Sequence, residues 1–137
     1  MWPNSFEERL AAWTALRDDE ALPLEDYLRQ VNSWWHTTPW SPYYLHWDDR
    51  AEWPTPWQLL SDNVFCPVSR GLGVLYTLAL SPRAIDAELV EVDNDNLVLV
   101  DQGKYTLNYH PSEIVNIKLP EVVSSHRISI EEIKNKF

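Results

Sequence analysis

The sequence predicts an α+β fold, with a Trp-rich helical first half, a central helix opening at Cys66, and a small antiparallel sheet against which that helix packs. Three observations predict it. Apolar residues recur at helical spacing up to Leu80 and change to strand-like alternation after Pro82. All eight Trp fall between Trp2 and Trp57, so an aromatic-dominated core belongs to the first half. Cys66-Pro67 then places a capping position and a proline in front of a long apolar run.

Each element has its own signal. Ser5 and Glu8 have the form of a capping box, and Phe6, Leu10, Trp13 and Leu16 repeat as a helical stripe up to Arg17. The acidic run at residues 18–20 breaks that helix. Pro23 opens a second one, with Leu24, Tyr27, Leu28, Val31 and Trp35 on its apolar face and Pro39 as its stop. Residues 37–53 read TTPWSPYYLHWDDRAEW, aperiodic but rich in rings, which predicts an ordered loop pinned by its aromatics. Thr55-Pro56 caps a short helix through Trp57, Leu59 and Leu60, and Asp62-Asn63 turns the chain.

From Cys66 the helix runs to Leu80, and Gly71 and Gly73 within it predict close packing against another backbone. Ala87, Leu89 and Val90 to Val92 predict a first strand, residues 93–96 a turn, and residues 97–100 a second strand. Residues 101–104 form a hairpin turn before Tyr105, Leu107 and Tyr109 as a third strand. Ile114, Ile117 and Leu119 predict a fourth, and the Ser129/Glu132 capping box a closing helix. At 137 residues this predicts one domain over 1–137. Its parts are helices and aromatic loop (1–60), Cys helix (61–82), β-meander (83–120) and C-terminal tail with a short helix (121–137).

The formal net charge of −10, without a basic run, disfavours nucleic acid and anionic membrane as partners. A single cysteine forms no internal disulfide, and no secretory signal is read at the N-terminus. Eight Trp exceed what a small core absorbs, which leaves some for a surface; Trp34, Trp35, Trp40, Trp47, Trp53 and Trp57 could supply a stacking or docking shelf. His46, Asp48 and Asp49, with His36 upstream, carry cation-ligand chemistry, but such residues in a loop read first as turn and capping groups. No cofactor or metal is therefore expected.

Cys66 is the sharpest candidate. A thiol at a helix N-terminus meets the positive end of the helix dipole, which favours the thiolate. Free cysteine is also among the most buried and inert residue types. The stretch WPTPWQLLSDNVFCPVSRGLGVLYTL, residues 53–78, resembles the nucleophile segment of the transglutaminase-like branch of the papain-like superfamily, and also short tailed-bacteriophage proteins of the same layout. That resemblance implies a His on the first strand after the cysteine helix and an Asp on the next. Asp101, at the end of the second strand, matches the Asp, whereas residues 85–92 contain no His. His110 is the nearest substitute and His126 a poorer one.

The expectation is a non-enzymatic phage virion or tail-associated assembly protein on a degenerate transglutaminase-like scaffold. Its partners would be other virion or tail proteins, with oligomerisation open, in the host cytoplasm during assembly and afterwards in the virion. The alternative is a cysteine hydrolase or acyl-transferase using Cys66, His110 and Asp101 as nucleophile, base and orienter. A small inhibitor or host-directed binding protein is a third reading.

Overall fold

A computed structural model describes residues 2–41, 45–114 and 126–136. Five α-helices and four strands follow in the order α1 (Phe6–Arg17), α2 (Leu24–Trp35), α3 (Pro56–Asp62), α4 (Pro67–Leu80), β1 (Ala87–Val92), β2 (Asp95–Val100), β3 (Tyr105–Leu107), β4 (Arg127–Ser129) and α5 (Ile130–Ile133). A 3-10 helix over Trp47–Glu52 lies within the aromatic loop, and another over Lys134–Lys136 follows α5. The α+β class read from the sequence is the class observed. No helix among the described residues is long and apolar enough to cross a membrane.

Helix α4 is the axis of the molecule. From Val68 to Ala79 all its residues except Arg70 are buried, because helices pack on one side and the sheet on the other. Gly73 lets Trp35 of α2 lie against the helix, since a Cβ there would come within 2.5 Å of the indole ring. Gly71 does the same on the sheet side, where a Cβ would meet Leu89 Cδ1 at 2.7 Å. The closest neighbours of both glycines are side chains and not the backbone that the sequence reading expects, because a ring and a branched side chain fill the space a Cβ would take.

The buried rings are tied by one hydroxyl. Thr77 Oγ1 accepts from Trp13 Nε1 at 2.8 Å and from Trp35 Nε1 at 2.9 Å, and donates to the Gly73 carbonyl at 2.8 Å. Two indole N–H groups from different helices are thereby satisfied in a dry interior. Arg9 is a second inward polar group, although α1 seemed to offer a plain apolar stripe: its Nε donates to the Leu60 carbonyl at 2.8 Å and Nη1 to the Pro3 carbonyl at 3.2 Å. Trp13, Trp35, Trp47 and Trp53 are buried, while Trp40 and Trp57 are 58% and 42% exposed.

The caps at Ser5, Thr55, Cys66 and Ser129 fall where the sequence puts them. Helix α2 ends before Pro39, because the Thr37 and Thr38 hydroxyls bond back to the Trp34 and Trp35 carbonyls and close its last turn.

The sheet is antiparallel with strand order β3-β2-β1-β4. Strand β2 begins at Asp95, because Asp93 and Asn94 take positive φ (48° and 72°) and close a two-residue hairpin. Strand β3 stops at Leu107, because Asn108 turns left-handed (φ 65°) and sends Tyr109 to the surface. Of the fourth strand expected around Ile114, Ile117 and Leu119, residues 117 and 119 lie outside the described residues. Ile114 is buried beside β3, its carbonyl accepting from the Thr106 amide at 3.0 Å. The fourth observed strand is Arg127–Ser129, which pairs with β1 at the far edge.

Candidate functional site

Cys66 is the N-cap of α4, in extended backbone (φ −119°, ψ 178°), with Pro67 opening the helix. The Ser69 hydroxyl accepts from the Cys66 amide at 2.7 Å, so the device is a capping box with a thiol in place of the usual hydroxyl. The sulfur itself accepts from the Leu45 amide at 3.4 Å and lies 3.6 Å from Ser69 Oγ. It is 1% exposed. A helix end and a backbone amide both favour negative charge at this sulfur, while burial opposes it.

Opposite this helix entrance, one end of the sheet presents a row of polar side chains. Glu91 of β1 pairs with Asn96 of β2, and the Glu91 amide donates to the His126 carbonyl at 2.9 Å. Asn96, Glu91 and His126 therefore sit side by side on three strands. Trp47 covers the row: its Nε1 donates to Asn96 Oδ1 at 2.7 Å, and its ring stacks on His126 with 5.5 Å between centroids and 4° between planes. His126 Nδ1 donates to Glu91 Oε1 at 3.0 Å, and its Nε2 lies 3.9 Å from the solvent-exposed Asp48 carboxylate. A cavity of about 690 Å³ is lined by Cys66, Trp47, Glu91, Asn96 and His126 among others.

Asn108 closes the other side. Its Nδ2 donates to the Asn96 carbonyl at 2.6 Å and to the Pro67 carbonyl at 3.1 Å, its Oδ1 accepts from Arg70 Nε at 2.6 Å, and its amide donates to Asn32 Oδ1 at 2.8 Å. The side chains that β2 and the end of β3 bring to the helix entrance are thus both carboxamides. A carboxamide has no basic lone pair at neutral pH and takes no proton from a thiol.

The residues named from sequence as partners of Cys66 lie elsewhere. His110 is exposed and absent from the cavity wall; its Nδ1 accepts from the Ser112 and Glu113 amides at 3.1 and 3.2 Å, which uses the ring as a turn cap. Asp101 occupies a left-handed turn position (φ 56°) at the far end of β2, beside Leu24 and Arg83. Four residues of strand, 97–100, separate it from Asn96, and the five steps span about 16 Å at the usual rise per residue. The structure brings neither residue to the thiol, and the imidazole ranked lower, His126, is the one that shares its cavity. Among the described residues no three His, Cys, Asp or Glu side chains cluster to hold a metal ion. His46 precedes the 3-10 helix without a side-chain cap bond, and Asp48 and Asp49 lie in its first turn.

No family model, no curated protein and no solved structure matches the chain. What the site can do therefore rests on its own geometry.

Sequence reasoning missed Glu91, Asn96 and Asn108 as site residues. Asn96 reads as a turn residue until the two-residue hairpin is known, and Asn108 as an outward strand position until its positive φ is known. For His126 the signal was the short Arg127-Ile128-Ser129 alternation just ahead of the capping box, too brief to mark a strand.

Proposed function

We propose that this chain is a non-enzymatic assembly component of the phage virion or tail kind, built on a transglutaminase-like scaffold that has lost its chemistry. The observation that carries the proposal is the pair of carboxamides, Asn96 and Asn108, at the positions on β2 and β3 that face the cysteine helix. Both are used structurally: Asn96 anchors Trp47 and Asn108 bolts β3 to α4. The thiol is 1% exposed and stands as the N-cap of α4. The aromatic surplus left on the surface at Trp40 and Trp57 supplies ring area of the sort enriched in protein interfaces.

The test is co-purification. In gradient-purified particles the chain should appear in fixed proportion to other virion proteins. A strictly monomeric chain that never sediments with particles contradicts the proposal.

A second reading is favoured by one specific observation, the His126–Glu91 pair in the cavity that also holds Cys66. With Nδ1–H held by the carboxylate, the neutral imidazole keeps Nε2 as its basic atom, the orientation a general base needs. In that reading Nε2 takes the thiol proton, the thiolate attacks an acyl carbon, and the imidazolium returns the proton to the leaving group. Trp47 stacks on the His126 ring and bonds to Asn96, so its indole covers the imidazole in that cavity. This is the physical ground for ranking it second.

A further inference from the structure

Helix α4 carries one residue between Val68 and Ala79 that is not buried, Arg70, and its surroundings are unlike the rest of this acidic molecule. Its Nε is engaged with Asn108 Oδ1 at 2.6 Å, and its guanidinium lies over the Trp40 ring at 5.3 Å from the centroid. No carboxylate among the described residues lies within 4 Å of it. Titratable neighbours of Arg70 are the Cys66 thiol, which couples to it electrostatically, and the His36 imidazole, which feels both Arg70 and His110. Glu113, exposed after His110, makes no ion pair with Arg70.

The partly buried guanidinium forgoes much of its hydration and receives an amide oxygen, the Trp40 ring and the Cys66 sulfur in return, with no carboxylate among the described residues. A cation in that state gains most from an incoming carboxylate, because both Nη groups can donate to its two oxygens together. Trp40 beside it is the most exposed large apolar side chain described, at 58%. Its strand is nonetheless fixed: Trp40 forms a parallel bridge with Phe65, and the Ser41 amide bonds to the Phe65 carbonyl at 2.6 Å. Tyr109, also exposed, follows Asn108 directly in the chain. A ring whose backbone is bridged to Phe65 and a guanidinium with no carboxylate partner among the described residues are thus held together on one face, the two residue types most enriched where binding energy concentrates.

We propose that Trp40 and Arg70 form a docking site for a protein segment in which a carboxylate side chain is flanked by large apolar ones. This rests on the reading of the chain as a protein-binding component and specifies where and what it binds. The carboxylate pairs with Arg70 and an apolar side chain covers Trp40. The net charge of −10 opposes such a partner at long range, but screening at physiological salt confines that effect to about 8 Å, so the local cation decides.

The test is fluorescence anisotropy on the full chain with the labelled peptide Gly-Phe-Asp-Leu-Phe-Gly and its counterpart carrying Asn for Asp. The acidic peptide should bind about tenfold more tightly than the amide one, and Arg70→Gln should remove that preference. Trp40→Ala, a change at an exposed ring that leaves the core intact, should weaken both peptides, whereas Trp57→Ala at the other exposed ring should weaken neither. Equal binding of the two peptides, no binding of either, or a preference that survives Arg70→Gln in a folded variant overturns the site. A dimer in sedimentation that Arg70→Gln dissociates would overturn the partner in favour of a second copy of the chain. Failure here leaves co-purification with particles undisturbed, so the site and the broader reading fall separately.

Discussion

The two halves of α4 face neighbours of opposite character. Towards its C-terminal end, Thr77 sits among Trp13, Trp35 and Gly73 with every polar atom matched and no space left. At its N-terminal end, Cys66 borders a cavity of about 690 Å³ under a loop of rings, and the polar side chains are matched mostly across the sheet. One helix therefore divides its duties: the lower half fixes the fold, and the upper half presents a surface. The dense end has no room to serve a ligand. The open end has room, and its thiol is engaged as the helix cap.

The largest expected effect separates the dense end from the surface rings. Trp35→Ala should lower stability by about 3–5 kcal/mol, since a fully buried indole and its bond to Thr77 are lost together. Trp57→Ala should cost only about 1 kcal/mol, because that ring is 42% exposed. Denaturant unfolding of the two variants checks the contrast, and equal losses would erase it. Next comes Thr77→Val, which leaves two buried indole N–H groups without an acceptor and should cost about 2–4 kcal/mol, read in the same way.

At the open end, Asn108→Asp should lower stability by about 2 kcal/mol, because a carboxylate cannot donate to the Asn96 and Pro67 carbonyls. Were the site built for an acid there, the change would be neutral or stabilising through Arg70.

The smallest effect is on pH. Burial holds the His36 imidazole below its ordinary value, the hydrogen bond from Nδ1 to the Asn32 carbonyl opposing it in part, with repulsion from Arg70 and His110 adding to the fall. The unfolded chain then binds the proton more readily than the folded one. The stability tied to neutral His36 is full above about pH 6.5 and declines as pH falls below it. His36→Gln should flatten that decline in urea midpoints measured between about pH 5 and 7.5; an unchanged slope would remove His36 from the account.

Much of the frame was legible because it depends on local chemistry. Caps at Ser5, Thr55 and Ser129, prolines at the starts of α3 and α4, and glycines facing rings are written in short windows of sequence. The site was less legible because it depends on register. Whether an imidazole meets Cys66 is decided by which strand lies beside β1, and β4 is three residues long and remote in sequence. Two dihedral choices, the positive φ at Asn94 and at Asn108, fix which residues point at the helix entrance, and asparagine states only that such a choice is allowed. Asp101 and His110 looked like partners because strand ends were counted without knowing which end faces α4.

The central claim, a thiol that serves as a helix cap and not as a nucleophile, is tested most directly by following the thiolate absorbance of the intact chain against pH, with Cys66→Ser as the blank. The account predicts a rise only at about pH 8 or above, unchanged by His126→Ala. A thiolate already present near neutrality, and lost when His126 is replaced, would contradict it and move the chain to the acyl-transfer reading.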